Sequence, residues 1–199
     1  MNKQVSNNSK LFIIQEYLTA DLITFYNSSV RTYHTLLHAL QVAMIAKDLL
    51  IKHDHTPSYK NIMDVYIAGL WHDAVYVAGS VVNETESATA LLKFYPDRHE
   101  SAEMIRRTTV QHHLSDDDYP IELCCLLDAD LDSLSSDYET FVQNNYLIQL
   151  ELKTTPLESA VFLNKFLEKK SIYRTEEYKK SREQIAQSNI QRFIKENTL

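Results

Sequence analysis

The chain has 199 residues, of which 44% are hydrophobic, so it is long enough to bury one core without disulfide or metal support. Its 2 Gly and 4 Pro, the lack of Asn-Gly or Asp-Gly turns and the lack of sustained polar-apolar alternation predict an all-α fold. The formal net charge of −7 argues against binding to a nucleic-acid polymer, because proteins that bind phosphate backbones carry a basic surface.

Apolar residues recur at helical spacing along most of the chain, and no repeat or interdomain linker interrupts them. We therefore predict one helical-bundle domain over residues 1–199, which begins with a loose polar arm at residues 1–9. The motifs that carry chemistry lie within residues 30–134, and residues 138–196 add C-terminal helices. The predicted helices cover residues 10–26, 34–52, 62–78, 85–94, 100–113, 121–134, 138–151, 156–169 and 175–196.

Three features predict a cytoplasmic protein. The N-terminal sequence "MNKQVSNNSK" lacks the apolar segment of a secretory signal. No run of about 18 apolar residues is present to span a membrane. The adjacent Cys124 and Cys125 are poorly placed for a disulfide with each other, which favours a reducing compartment.

The predicted helix at residues 34–52 carries His34 and His38, which are four residues apart and therefore share a face. His38 continues into an apolar stripe at the same spacing, so this face is expected to point into the core. A single core histidine is more often a structural hydrogen-bonding residue. Two on one buried face favour metal binding or catalysis.

The predicted helix at residues 62–78 contains "LWHDAVYV", where His72 and Asp73 interrupt an apolar run. An ionised carboxylate there must be paired or bound to a metal, because burying it alone costs on the order of several kcal/mol. A private hydrogen bond between His72 and Asp73 is the alternative interpretation. The other His-Asp pair, His53 and Asp54, precedes a polar loop and is interpreted as a solvated helix end.

The predicted helix at residues 121–134 ends in "LLDADLDSL", which offers a third set of acids. Asp128 and Asp130 both lie on apolar faces, and either can face the histidines because the sequence leaves the rotation of this helix open. Asp132 has mainly polar neighbours and is expected to be solvated.

Imidazole and carboxylate ligands together suit divalent Mn, Mg, Fe, Co, Ni or Zn. The order His, His-Asp, Asp over three helices resembles the HD-domain superfamily of metal-dependent phosphohydrolases. The segment "YHTLLHALQV" is similar to the first motif of the cyclic-nucleotide phosphodiesterases, "WHDAVY" to the HD motif itself, and "ADLDSL" to the helix that carries the last Asp. Together with "NETESA", these segments most resemble a bacterial group of predicted metal-dependent HD phosphohydrolases, with an HD-domain-like helical bundle.

This resemblance implies a role for each matching residue. The implied metal ligands are His38, His72, Asp73 and Asp130, with Asp128 as the alternative to Asp130. His34 takes the place of the phosphodiesterase histidine that protonates the leaving oxygen, although Thr35 stands where that motif has Asn. Glu84 is expected to orient the metal-bound water, whereas Glu86 is expected to form a capping box with Asn83.

Three further residues are candidates for binding a second metal or a phosphate. His112 and His113 stand together at a predicted helix end, and an ordinary helix end is an equal alternative for them. Arg31 precedes the first histidine motif and is expected either to hold a phosphate or to form a surface salt bridge.

The function implied by the resemblance is metal-dependent hydrolysis of a small phosphorylated substrate, such as a nucleotide, by metal-activated water. Two other classes stay open. One is a metal- or nucleotide-binding sensor without turnover. The other is a di-iron HD-type oxygenase, in which His112 and His113 would help to bind the second iron.

Overall fold

The computed structural model describes residues 19–27, 30–53 and 56–198, and all regular structure in them is helical, as the composition predicts. No described helix is long and apolar enough to cross a membrane. The predicted arm and residues 10–18 of the first predicted helix lie outside the described residues. The helices are α1 (Ala20–Tyr26), α2 (Leu36–His53), α3 (Tyr59–Trp71), α4 (Asn83–Phe94), α5 (His99–Arg106), α6 (Val110–Leu114), α7 (Ile121–Asp130), a 3-10 turn (Asp132–Ser135), α8 (Tyr138–Leu152), α9 (Pro156–Leu167), α10 (Glu176–Ser181) and α11 (Glu183–Asn197).

Several helices begin at residues whose side chains satisfy the free backbone N–H groups of the first turn. The side chains that accept such a hydrogen bond at an N-cap include those of Thr19, Ser58, Asp137 and Thr175. Helix α9 starts with Pro156 in its first turn, and Thr155 and Glu158 form a reciprocal capping box there.

Helix α2 is the centre of the fold and packs along both α3 and α7, while α3 also contacts α5. Side chains from these helices form the most deeply buried part of the core, including the fully buried Trp71 and Ile67. Helices α8 and α11 pack against the 3-10 turn that follows α7, and α9 and α10 pack against α11. As a result, the first part of α2 and the C-terminal ends of α3 and α7 lie side by side.

Helices α2 and α3 approach each other closely at Gly69. A Cβ atom at this position would lie 2.5 Å from Ala43 Cα and 2.7 Å from Ala43 N. These contacts involve backbone atoms, which cannot move aside as a flexible side chain can. The spacing of the two helices therefore depends on glycine at position 69.

We expect Gly69→Ala to lower the free energy of unfolding by about 1–3 kcal/mol, the usual cost of overpacking a core. Urea unfolding measures this change. Helix propensity alone predicts the opposite sign, since Ala is favoured over Gly inside a helix. A stabilised Gly69→Ala variant would therefore contradict the close packing. Gly79→Ala is the comparison, because Gly79 has φ +76° but open space around it, so only backbone strain acts there.

The helix predicted at residues 62–78 is wrong in its C-terminal part, because α3 ends at Trp71 and residues 72–82 form turns. Side chains from elsewhere satisfy the backbone of this loop. The Ser87 hydroxyl bonds both Val75 N and Val75 O, and the Asn83 amide does the same at Val77. The apolar run in this segment predicts a helix, because the sequence does not show that side chains from α4 bond its backbone.

Three other predicted helices are interrupted or shortened, namely those at residues 100–113, 121–134 and 175–196. Near each interruption a hydroxyl donates to a carbonyl of the preceding turn, a contact that competes with the regular helix pattern. These hydroxyls belong to Thr108, Ser135 and Ser181.

The predicted capping box of Asn83 and Glu86 is also wrong. Helix α4 begins at Asn83 itself, after Val82, and no side chain caps its first turn. The Asn83 amide is instead committed to the backbone of Val77. Glu86 is exposed.

Candidate metal centre

The structure brings together the four residues that the resemblance implies as metal ligands. His38 lies in the first turn of α2, His72 and Asp73 directly follow α3, and Asp130 is the last residue of α7. Their proximity follows from the packing of α2 against α3 and α7. Within the described residues, His38, His72 and Asp73 can each offer one ligand atom such that these atoms lie within 4.8 Å of one another.

The distances within this His-Asp cluster are those of atoms that can share one ion. His38 Nε2 lies 3.0 Å from Asp130 Oδ1 and 3.8 Å from Asp73 Oδ2. His72 Nε2 lies 3.1 Å from Asp73 Oδ2 and 3.4 Å from Asp130 Oδ1. Ligands bound at about 2.0–2.2 Å to one metal lie roughly 3 to 3.5 Å apart in tetrahedral or octahedral geometry.

Two atoms of the cluster are buried without a hydrogen-bond partner among the described residues, namely His72 Nε2 and Asp73 Oδ2. They are close to each other but not in hydrogen-bonding geometry. His72 Nδ1 bonds the Gly69 carbonyl at 2.8 Å, which assigns the proton of a neutral ring to Nδ1 and leaves the Nε2 lone pair free. A private His72–Asp73 hydrogen bond does not account for this arrangement, whereas a shared cation does, because an unpaired buried carboxylate is costly.

The side chains are exposed to solvent to different degrees. The His72 side chain is 2% exposed and that of His38 is 9% exposed. Asp73 and Asp130 retain 14% and 18% of their side-chain exposure. His72 is therefore the most deeply buried side chain of the cluster and Asp130 the most exposed.

The charges of the cluster stabilise one another strongly. Burial opposes the protonation of His72, but Asp73 and Asp130 outweigh it and hold the pKa of His72 well above its usual value. Burial also disfavours the ionised carboxylates, yet His72 and its histidine neighbours keep the pKa of Asp73 and that of Asp130 below the usual range. The two ionised carboxylates thus favour a positive charge beside them, which is a proton on His72 Nε2 when no metal is bound. A bound cation would take the place of that proton and leave the Nε2 lone pair as a ligand.

Asp130, rather than Asp128, faces the cluster. Asp128 Oδ1 accepts a hydrogen bond from Arg174 N at 2.8 Å, and Oδ2 accepts one from Thr175 N at 2.7 Å. These bonds attach α7 to the segment before α10, which is a structural role. Asp132 is not freely solvated as predicted. It lies in the 3-10 turn after α7, and its Oδ1 accepts a hydrogen bond from the Tyr178 hydroxyl at 2.5 Å.

The side chains of His112 and His113, the predicted second-metal pair, lie in different surroundings. His113 is buried, and its Nε2 lies 3.0 Å from Asp130 Oδ2 while its Nδ1 has no partner among the described residues. His112 is directed elsewhere, with Nδ1 2.7 Å from the Thr109 hydroxyl. Only His113 of the two therefore adjoins the cluster, and it orients Asp130.

Arg31 is buried and uses its guanidinium for backbone carbonyls. Its NH1 group donates to the carbonyls of His34 and Asp73, and its NH2 group donates to that of Ala74, each within 2.9 Å. This ties the start of α2 to the loop after α3. Arg31 thus stabilises the backbone under the cluster, which is neither of the two predicted roles. Glu84 makes no hydrogen bond or ion pair with any described residue, so its predicted role in orienting water stays a prediction.

His34 lies beside the cluster and has a partner that the sequence reasoning missed, Glu151 of α8. Glu151 Oε2 accepts hydrogen bonds from Tyr33 N at 2.9 Å and His34 N at 3.2 Å, and it lies 3.2 Å from His34 Nδ1. The His34 ring also stacks on Tyr76, with centroids 4.7 Å apart. Glu151 stands in "LIQLEL", an acid among apolar residues, which is the same signal that singled out Asp73.

Burial opposes the protonation of His34, but Asp73 and Glu151 outweigh it and raise the pKa of His34 above its usual value. Glu151 binds His34 through Nδ1, so the Nε2 atom remains available for proton transfer. His34 is thus a histidine whose protonated form is favoured and which lies next to a candidate metal site.

A cavity of about 350 Å³ opens beside His38 and Asp130. The start of α2, the 3-10 turn and α8 enclose it, and Tyr33 forms part of its wall. The Tyr33 hydroxyl donates to Ser133 at 2.8 Å, which holds the ring in place. The cavity therefore reaches the cluster on the side of His38 and Asp130, whereas His72 and Asp73 do not line it.

No protein-family model, no curated protein and no solved structure matches this chain. The interpretation of the His-Asp cluster therefore rests on its own geometry.

Proposed function

We propose that this protein is a metal-dependent phosphohydrolase that acts on a small phosphate ester, such as a nucleotide. Its divalent metal would be held by His38, His72, Asp73 and Asp130. The observation that carries the proposal is the pair of unpartnered buried atoms, His72 Nε2 and Asp73 Oδ2, within a cluster of two histidines and two carboxylates. The metal identity is open among Mn, Mg, Fe, Co, Ni and Zn, because this donor set suits each of them.

A bound divalent metal supplies a water of lowered pKa and screens negative charge on phosphorus. The residues of the chain supply the rest. Hydrolysis requires a proton for the ester oxygen that leaves, and His34 is the group next to the cluster that is placed to donate one. Burial lowers the pKa of His34, but Asp73 and Glu151 outweigh it and raise this pKa, which favours the protonated form. A positioned histidine acid contributes about 10²–10⁴-fold to rate.

The test is hydrolysis of p-nitrophenyl phosphate and bis-p-nitrophenyl phosphate by the protein loaded in turn with Mn²⁺, Co²⁺, Ni²⁺, Zn²⁺, Mg²⁺ or Fe²⁺. Release of nitrophenol that depends on one of these ions supports the proposal. Tight metal binding without hydrolysis of these esters or of any nucleotide would favour the sensor class instead. Two irons per chain with oxygen consumption would favour the oxygenase class, although only His113 of its two predicted extra ligands adjoins the cluster.

Glu151→Gln is expected to lower kcat by about 10- to 100-fold with little change in KM. This loss is part of the rate enhancement that a general acid usually contributes. The amide keeps an oxygen for the backbone N–H groups but removes the charge that favours protonated His34. With a lower His34 pKa, the decline of kcat on the alkaline side moves to lower pH, and a pH-rate profile measures this shift.

Glu139→Gln on the same helix is the matched control, because Glu139 is exposed. Metal content should be unchanged in both variants. A Glu151→Gln enzyme with the parental pH profile would show that Glu151 only holds the backbone.

A further inference from the structure

The residues that line the cavity beside His38 and Asp130 indicate which kind of group the substrate carries besides its phosphate. This inference rests on the function proposed above. Its volume of about 350 Å³ lies at the small end of the range for small-molecule sites, about 300–1,000 Å³. The reacting phosphoryl group would lie at the cluster, so the remainder of the ester would occupy this cavity.

The charged residues that line the cavity are acidic. Asp130 and Asp132 are among its lining residues, whereas no Lys or Arg is among those that the structure describes there. Arg182 lies near Asp132, with 3.9 Å between its NH2 and Asp132 Oδ1, but it does not line the cavity. Arg31 is buried and committed to backbone carbonyls. Because Asp130 would be a metal ligand, a second phosphate placed away from the metal would meet the Asp132 carboxylate and none of the lysines or arginines among the described residues.

The neutral groups of the cavity are available for hydrogen bonds. The Thr35 hydroxyl and the side-chain amides of Gln41 and Asn144 line it, and none of them is hydrogen-bonded to a described residue. Amide and hydroxyl groups can donate to and accept from sugar hydroxyls or the edge of a base. Val42 and Ile45 add apolar surface for the face of a ring.

We infer that the site selects phosphate esters with a single phosphoryl group on a neutral, polar, ring-containing alcohol, such as a nucleoside monophosphate. Esters with a second phosphate on the alcohol are discriminated against, because the cavity offers that phosphate the Asp132 carboxylate and, among the residues described there, no Lys or Arg. In the reaction, water adds to phosphorus and the bond from phosphorus to the ester oxygen breaks. The ester oxygen receives a proton, so the products are inorganic phosphate and the free alcohol.

The experiment compares adenosine 5′-monophosphate with adenosine 3′,5′-bisphosphate on the Mn²⁺-loaded protein. The monophosphate should have a kcat/KM for the 5′-phosphate at least about tenfold higher, since like charges brought together in a binding site strongly disfavour the wrong ligand. Calorimetry on the same protein should show a preference of similar size in binding. Asn144→Lys places a cation in the cavity and should reduce both preferences about fivefold or more. Gln143→Lys is the control, because Gln143 is exposed and does not line the cavity.

p-Nitrophenyl phosphate is too small to test the cavity and reports the chemistry alone. If it is hydrolysed but the bisphosphate is used as well as the monophosphate, the inference about the cavity is overturned while the proposed function stands. If it is not hydrolysed with any metal, yet the monophosphate binds preferentially and Asn144→Lys removes the preference, the cavity is as inferred and the proposed hydrolysis fails. Absence of any binding of either nucleotide overturns the inference.

Discussion

Asp73→Asn is expected to reduce the metal content of the protein from about one ion per chain to none, because the amide removes a ligand charge from the cluster. Hydrolysis should fall by about 10³-fold or more, since a metal supplies several kcal/mol of transition-state stabilisation. Elemental analysis of the purified proteins, before and after dialysis against Mn²⁺, measures the first effect. Steady-state hydrolysis of p-nitrophenyl phosphate measures the second.

Asp48→Asn is the matched control for this variant, because Asp48 lies on α2 with 60% of its side chain exposed and should bind no metal. Circular dichroism establishes that Asp73→Asn is folded. If folded Asp73→Asn retains the parental metal content, the metal site is elsewhere. If the parent itself binds no metal even after soaking, His72 and Asp73 are a structural pair.

His34→Ala is expected to retain the metal but to lose about 10²–10⁴-fold in kcat, the usual contribution of a general acid or base. His34 bonds Glu151 and stacks on Tyr76, so its ring is positioned by the protein and not by the cluster. The metal content therefore separates its role from that of Asp73. A good leaving group needs little protonation, so the loss should be smaller for p-nitrophenyl phosphate than for an alkyl phosphate.

His53→Ala controls for removal of a histidine from the same part of the chain, since His53 is exposed at the end of α2. Equal metal loss in His34→Ala and Asp73→Asn would contradict the division of roles. Equal rate losses for aryl and alkyl esters would show that His34 acts other than as a proton donor.

The sequence was sufficient to predict the fold class and three of the four clustered residues, for a common physical reason. Few glycines and prolines together with helical periodicity leave little except a helical bundle. An ionisable residue on an apolar face has few options other than to meet a partner in the core. This argument selected His38 from one segment and the adjacent His72 and Asp73 from another, and the structure brings them to one point.

The remaining details depend on contacts between residues distant in sequence. The choice of Asp130 over Asp128 depends on the rotation of α7, which is set by the bonds of Asp128 to the segment before α10. The end of α3 depends on Ser87 and Asn83, which satisfy a loop that looks helical in the sequence. Glu151 reaches His34 across 117 positions, and no local pattern links the two.

The unequal exposure of the cluster has a consequence for the kinetics of metal exchange. His72 is 2% exposed and Asp73 Oδ2 is buried, whereas His38 and Asp130 line the cavity. We therefore expect a cation that enters through the cavity to meet one imidazole and one carboxylate first, and to reach His72 and Asp73 only afterwards. A metal held by all four residues would have to break its bonds to the two inner ligands before it could leave through the cavity, so its release should be slower than its capture.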